Sequence, residues 1–508
     1  MEADGTLTQI QRIRTIDRST VGGASNRNVP RLFWSVMIIV AAHYGHLFWP
    51  IGCICLSPLV WIWRSPLASH SVIRISVEAV VLGFAASWIS TGFVRDAVAD
   101  WGYIVQAIAC LVFGLHFVAI AVSIHLVRHW PILFAALATS IAATASEVFQ
   151  AWLGITWSVK NLAMITVTTP IAQWASLVTP FGVSGILYFV NFLFASEASD
   201  RQRIRWLGPI TATFVTSAVW GGGVLLASSV VTRPCPFSVM LVQSHLQDTH
   251  GVPWRPWVPL DRLTRLSLEE QGAVDLIVWP EAALSNSNYS GGDEELNDST
   301  NQMTIQQFSK NLQPVYGTNC LVGVPMAKVG SKQQYGLEVQ SLSFFNCACL
   351  VSSPTQRIYH EKRVLVPIKE YEPDCLQLPW IRKWLPRSLQ LTSPFTPGER
   401  FQTLRFVDLS GQRRAIAVSV CYESFFPWLP QYNTESSVDA IIHILYDGNS
   451  VDHPQLLQHQ IDACRFRAIE TRKWNLVCST WAGTAIIDPK GQIVRQLPPV
   501  AGVLRTDM

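Results

Sequence analysis

Charge is scarce in this chain. Acidic and basic residues make up 14 % of its 508 positions and hydrophobic ones 49 %, where a soluble globular domain carries roughly 25 % charged residues. That shortage excludes a chain bathed wholly in water. The formal net charge is +3 and there is no dense basic run, which excludes the usual nucleic-acid-binding surface. There is no CxxC pair either; eleven cysteines are scattered, with Cys347 and Cys349 only two apart. Neither a zinc site nor a disulfide framework is implied. Cys53, Cys55 and Cys110 lie in apolar runs and read as small packing residues. The chain also lacks solenoid-period repeats, low-complexity segments and any motif for a metal or organic cofactor.

What the chain has in abundance is apolar length. Runs at 33–48, 50–63, 75–93, 103–126, 131–150, 167–195 and 207–230 follow one another, and a bilayer span needs about 20 apolar residues. The first two are short and carry Pro50 and Pro58, so they read as a broken hairpin or as two spans. Twenty tryptophans suit the water–lipid boundary, where indole rings favour the headgroup level. The first 31 residues are polar, with no compact apolar region and small-residue cleavage site behind them, so a cleavable signal peptide is not expected. Arg12, Arg14, Arg18, Arg27 and Arg31 precede the first run; Arg64, Arg74, Arg128, Arg201, Arg203 and Arg205 fall in alternate loops, against Arg95 and Lys160 in the others. This bias puts the N-terminus in the cytoplasm, favours seven crossings over six, and places everything after 231 on the outer face.

Beyond residue 231 the pattern becomes short strands with turns and ordinary charge. Strands are expected at 237–243, 275–280, 319–325, 341–351, 413–420, 439–446 and 475–487, and helices at 259–271, 299–312 and 454–473. Alternating strands and helices imply a layered α/β domain. Three strand ends carry reactive groups: Leu276-Ile277-Val278-Trp279-Pro280-Glu281 ends in a carboxylate, Tyr359-His360-Glu361-Lys362 in an ammonium, and Ala415 to Val420 in the thiol of Cys421, followed by Tyr422-Glu423. A carboxylate can take a thiol proton, and an ammonium can steady the oxyanion formed when a carbonyl is attacked. Read singly, each has a plainer account: a solvated loop glutamate, a core cysteine, a charged face at Lys362-Arg363.

In order, however, WPE, YxxK before LVP, and CYE resemble the nitrilase superfamily, and behind a multi-span membrane half they resemble the apolipoprotein N-acyltransferases. Supporting matches are Phe48-Trp49-Pro50, Gly154-Ile155-Thr156-Trp157 with Asn161-Leu162, Val242-Gln243-Ser244-His245-Leu246-Gln247, Phe395-Thr396-Pro397-Gly398, and Gln458-His459 with Arg467 to Arg472. The resemblance implies a multi-span α-helical membrane bundle followed by an α/β, nitrilase-like αββα sandwich. It assigns Glu281 as general base, Lys362 as oxyanion stabiliser and Cys421 as nucleophile, with Glu370 and Glu423 supporting; these last two fit equally well as mere anchors of Lys362 or a backbone amide. The domains expected are 1–31, a cytoplasmic polar segment; 32–230, the membrane domain; 235–500, the catalytic domain; and 501–508, a tail.

The implied reaction moves an acyl chain from a membrane phospholipid, through a cysteine thioester, to the α-amine of a diacylglyceryl-cysteine apolipoprotein. The partners are thus those two lipids and the bilayer, with no nucleic acid and no cofactor, at a bacterial inner membrane with the catalytic domain periplasmic. The stretch 366–395, with Tyr371, Trp380 and Trp384, reads as a lid dipping toward lipid or as plain packing. Departures from the family stand at Tyr446-Asp447-Gly448-Asn449, where NDAW is expected, and at Ile368-Lys369-Glu370, where FGE is expected. No apolar span precedes Met508, where family members carry a final membrane helix. A membrane-tethered carbon–nitrogen hydrolase and a non-catalytic lipid-binding relative are the alternatives.

Overall fold

The computed structural model describes residues 50, 54–64, 71–90, 102–153, 161–195, 207–244, 263, 266–267, 272–283, 318–334, 337–352, 357–383, 395–429, 438–447 and 454–507. Two compact units divide the chain: Met1–Val98 with Gly102–Glu147 and Ser184–Trp220, and Ala99–Trp101 with Val148–Val183 and Gly221–Met508. The expected boundary near 231 is therefore too simple, because the stretch 148–183 joins the second unit.

The helices are α1 (Ser57–Arg64), α2 (Val72–Ser90), α3 (Gly102–Leu126), α4 (Ile132–Trp152), α5 (Ala175–Phe194) and α6 (Leu207–Ser229). Among the described residues four helical segments, Gly102–Leu126, Ile132–Trp152, Pro170–Phe194 and Gly208–Ser229, are long and apolar enough to cross a membrane. The expected run 33–48 lies outside the described residues. Helix α1 has eight residues, so it rises only about 12 Å and cannot cross a bilayer alone. Helix α5 is broken at Thr179, whose φ of 60° is left-handed, just before Pro180; a proline cannot continue the ladder and restricts the residue before it.

In the helical unit several polar groups point inward. The Tyr188 hydroxyl donates to Glu147 Oε1 at 2.5 Å and lies 2.9 Å from His116 Nε2. Asn191 accepts from the Leu56 amide at 2.8 Å and donates to Leu187 O at 2.8 Å. Large apolar side chains face out instead: Ile104, Ile108, Leu111 and Leu115 form an exposed stripe along α3, the side a lipid solvent would wet.

The second unit is a sandwich of two six-stranded sheets, ordered β12-β1-β2-β3-β4-β5 and β11-β10-β9-β8-β7-β6. The strands are β1 (Val239–Gln243), β2 (Leu276–Val278), β3 (Asn319–Gln334), β4 (Leu337–Val351), β5 (Arg357–Glu361), β6 (Leu404–Val407), β7 (Arg413–Val420), β8 (Ala440–Leu445), β9 (Trp474–Ser479), β10 (Ala485–Ile487), β11 (Ile493–Gln496) and β12 (Gly502–Arg505), with α7 (Pro454–Thr471) between β8 and β9. Side chains alternate between faces along each strand. Val239, Leu241, Leu276 and Val278 meet Ile416, Val418, Ile442 and Leu476 in the core between the sheets. The opposite faces pack outward, Ile277 and Cys347 with Leu263 on one side, Leu445 and Val477 with Cys464 and Ala468 of α7 on the other. This is the αββα layering.

Two expectations need correction. The run 475–487 is not one strand but β9 and β10, paired antiparallel around a turn. The buried Asp447 carboxylate organises that turn, accepting from Trp481 N at 2.6 Å and Ala482 N at 3.0 Å and bonding the Ser479 hydroxyl. Residues 501–508 do not form a tail either, because β12 pairs antiparallel with β1, Met240 opposite Arg505. The turn Pro170–Trp174 is tied to the residue that follows α7 and to the β10–β11 turn: Arg472 Nη1 donates to Gln173 Oε1 at 2.7 Å, and Gln173 Nε2 donates to Lys490 O at 2.9 Å. Those bonds account for 148–183 belonging with the sandwich.

Candidate active site

Strand direction brings the reactive groups to one edge. β1, β2 and β3 run parallel, and β4 and β5 each reverse, so β5 ends at the same edge as β2. Glu281 follows β2 and Lys362 follows β5 directly. In the other sheet β7, β8 and β9 are parallel, with Cys421 just after β7 and Tyr446 just after β8. Carboxyl ends of parallel strands are where open α/β sheets place their ligands.

The sheet delivers Glu281 only because Gly323 on β3 has no side chain: a Cβ there would lie 2.3 Å from Pro280 O and 2.5 Å from Glu281 Cα. Lys362 is fixed at the backbone by its amide to Asn346 O and by its carbonyl, which accepts from Gly398 N, both at 2.8 Å. Its ammonium, 1 % exposed, donates to Glu281 Oε1 at 3.2 Å and Glu370 Oε1 at 2.8 Å. Asn346, on β4, bridges the same two oxygens from the other side, at 2.8 Å and 2.9 Å. Glu370 closes its own turn through Oε2, which accepts from Val366 N at 2.7 Å. Ile368 inside that turn has a φ of 69°, a strained setting for a β-branched residue.

Burial works against the Lys362 charge, but the charges of Glu281 and Glu370 outweigh it and push the ammonium well above its usual range. Two carboxylates and one cation leave the cluster with a net negative charge. This charge reaches Cys421. Burial first, then Glu281, raises its thiol to about 12, against the opposing pull of Lys362 and of the Tyr446 backbone N–H, which bonds the sulfur. The thiol is therefore protonated at neutral pH and needs a base to become a nucleophile.

Cys421 itself sits in a left-handed conformation, φ 51°, where β7 turns into the short 3-10 segment Cys421–Phe425. Glu423, fully buried, holds that turn: Oε2 accepts from Val420 N at 2.8 Å and Oε1 from Arg363 N at 2.7 Å, with His360 Nε2 3.5 Å away. Burial would raise the Glu423 carboxyl, yet the His360 contact and the two amides keep it below its usual value. Glu423 thus links the backbone beside the thiol to the backbone beside the ammonium.

All five expected residues meet in this unit. Asn346 was not singled out in the sequence, although a lone asparagine in the apolar run Phe344 to Leu350 is a signal that could have found it. Gln460, whose Nε2 is 3.6 Å from the Cys421 sulfur, carried no such signal. Asn449 and the stretch 384–394 of the expected lid lie outside the described residues; within it, Trp380 is exposed. Among the described residues no cluster of three His, Cys, Asp or Glu side chains is arranged to hold a metal.

Comparison with known proteins places these features in a group. Residues 241–508 match the carbon–nitrogen hydrolase family. The apolipoprotein N-acyltransferase of Pseudomonas aeruginosa is 27 % identical over 395 residues, covering 73 % of this chain and 68 % of that protein. That of Haemophilus influenzae is 23 % identical over 472 residues, covering 89 % and 83 %. Among solved structures, a carbon–nitrogen hydrolase superfamily protein of Xanthomonas campestris aligns at 17 % identity, TM-score 0.34, over 53 % of this chain and 89 % of its own. An amidase of Nesterenkonia aligns at 16 % identity, TM-score 0.33, over 55 % and 92 %.

Proposed function

The chain belongs to the carbon–nitrogen hydrolase family, and from that premise we propose that it is an N-acyltransferase of the bacterial inner membrane. In this reading it moves an acyl chain from a phospholipid to the α-amine of a diacylglyceryl-cysteine apolipoprotein. The observation that carries it is the buried Glu281–Lys362–Glu370 cluster acting on the Cys421 thiol, in a chain with four helices of membrane-spanning length. The names of its relatives support the choice of acceptor. The arginine bias of the loops supports a cytoplasmic N-terminus and a periplasmic catalytic unit.

Each half-reaction uses one proton shuttle. Glu281 takes the thiol proton as the sulfur attacks the ester carbonyl, and Lys362 faces the oxygen that gains charge. The carbon–oxygen bond to glycerol breaks, Glu281 returns the proton to that oxygen, and a lysophospholipid leaves a thioester on Cys421. The acceptor amine then attacks the thioester and gives its proton to Glu281. The carbon–sulfur bond breaks, the thiolate regains the proton, and an amide remains. Glu370, Asn346 and Glu423 position the groups; none needs to touch substrate.

The test is to trap the intermediate. Purified protein in detergent is incubated with a phospholipid bearing an alkyne-tagged acyl chain. Label on the protein that neutral hydroxylamine removes, that Cys421→Ala abolishes and that moves to a diacylglyceryl-cysteine peptide is the expected result. Label lost only to water would make the protein a hydrolase, and no label would overturn the reading.

A further inference from the structure

Helix α7 crosses the Cys421 turn and presents the Gln460 side chain to the sulfur. Gln460 is 6 % exposed, and its Nε2 donates toward the Cys421 sulfur at 3.6 Å, hydrogen-bonding range for the large sulfur atom. We propose that Gln460 is a further catalytic residue, stabilising negative charge on the Cys421 sulfur. The inference rests on the reading of Cys421 as the nucleophile.

The sulfur lies between two kinds of neighbour. Glu281 and Glu370 oppose its ionisation through their charge, and burial adds to that. Two neutral donors favour it: the Tyr446 backbone N–H from the end of β8 and the Gln460 amide from α7. A neutral amide suits this place. It keeps its proton at every working pH, and it adds no cation to compete with Lys362 for the two carboxylates. The helix that carries it is anchored away from the site, by Arg465 Nε to Gly491 O at 2.8 Å and, just past its end, by Arg472 to Gln173, so the donor is held in place rather than recruited. The sulfur is negative twice in the cycle, after Glu281 takes its proton and again as the amine displaces it. A donor aimed at the sulfur lowers the cost of both states.

The experiment reads the thiol without any lipid. Full-length protein in detergent is alkylated with iodoacetamide from neutral to strongly alkaline pH, with Cys421→Ala as the labelling blank and thermal unfolding as the check on folding. Gln460→Met keeps the volume and removes the donor; Gln460→Glu keeps the shape and adds a carboxylate. Expected is roughly tenfold slower alkylation of Cys421 in Gln460→Met at every pH below the thiol's own pKa, about one pKa unit. Gln460→Glu shifts the profile further. An unchanged profile in a folded Gln460→Met variant, or a loss there that the equally shaped Gln460→Glu does not share, overturns the proposal, the second outcome being a matter of access alone. Because no acyl donor is used, a protein that shows the shift yet fails to transfer lipid sinks the acyltransferase reading and leaves this one standing.

Discussion

The helical unit and the sandwich differ in what they turn outward and in what their buried polar groups do. In the helical unit Ile104, Ile108, Leu111 and Leu115 face outward, while Tyr188, Glu147 and His116 bond to one another inside. In the sandwich the strands bury mainly apolar side chains, as in β8, where all six residues are buried and only His443, bonded to Asn475, is polar, and the reactive groups gather at the strand ends. The solvent explains the difference. Lipid gains nothing when leucine leaves it, so helices associate through shape and internal polar bonds. Water rewards burial of leucine, so the sandwich core is mainly apolar; of its buried charges, Glu281, Lys362 and Glu370 gather at the site and Asp447 holds a turn. A buried glutamate thus means packing in one unit and chemistry in the other.

The most severe way to test that contrast is Lys362→Met. It leaves Glu281 and Glu370 facing each other without their cation. Acyl-enzyme formation should fall about a thousandfold or more, and stability by about 3–5 kcal/mol, read by hydroxylamine-sensitive label and by chemical denaturation. Next comes Glu423→Gln, which weakens the amide bonds from Val420 and Arg363 and should cost about 2 kcal/mol. Its pH signature has a definite sign. The Glu423 carboxyl is held below its ordinary value of 4.5 in the fold, so its contribution is full above that value and is lost as pH falls through the depressed one. The variant should therefore lose less stability than wild type on acidification below 4.5; parallel acid profiles would remove the charge from the account.

Gly323→Ala should act more locally. The new Cβ pushes on Pro280 and Glu281, and misplacing a catalytic base by a fraction of an ångström to an ångström costs about 10- to 100-fold. The loss should appear in acylation rate, and a rate like wild type would free Glu281 from the role of base. The smallest effect is expected on the other side of the comparison. Tyr188→Phe removes the bonds to Glu147 and His116 and should cost about 1 kcal/mol of stability, with acyl-enzyme formation unchanged within a factor of about two. A much larger loss of acylation would break the contrast, because the helical network would then be part of the chemistry.

The parts of this protein legible along the chain were those written in one continuous stretch. β1, β2, β7 and β8 were expected within two residues of their ends, because strands inside a sandwich are apolar on both faces. β6, β11 and β12 were not, because edge strands mix exposed and buried positions: β6 alternates, and β11 has three exposed residues. The split of 475–487 also escaped, since Ser479 to Thr484 reads as polar strand until Asp447 is seen to gather their amides.

By itself, the sequence determined which segments are apolar for the length of a membrane and which strands end in a carboxylate, an ammonium or a thiol, because length and periodicity act within a few neighbouring residues. Only the tertiary structure decided that these groups meet. Lys362 and Glu281 are 81 positions apart, Asn346 and Glu281 65, and Gln460 and Cys421 39. Strand direction and register carry such partners to one edge, and the effect of two carboxylates on a partly buried thiol exists only once that edge has formed.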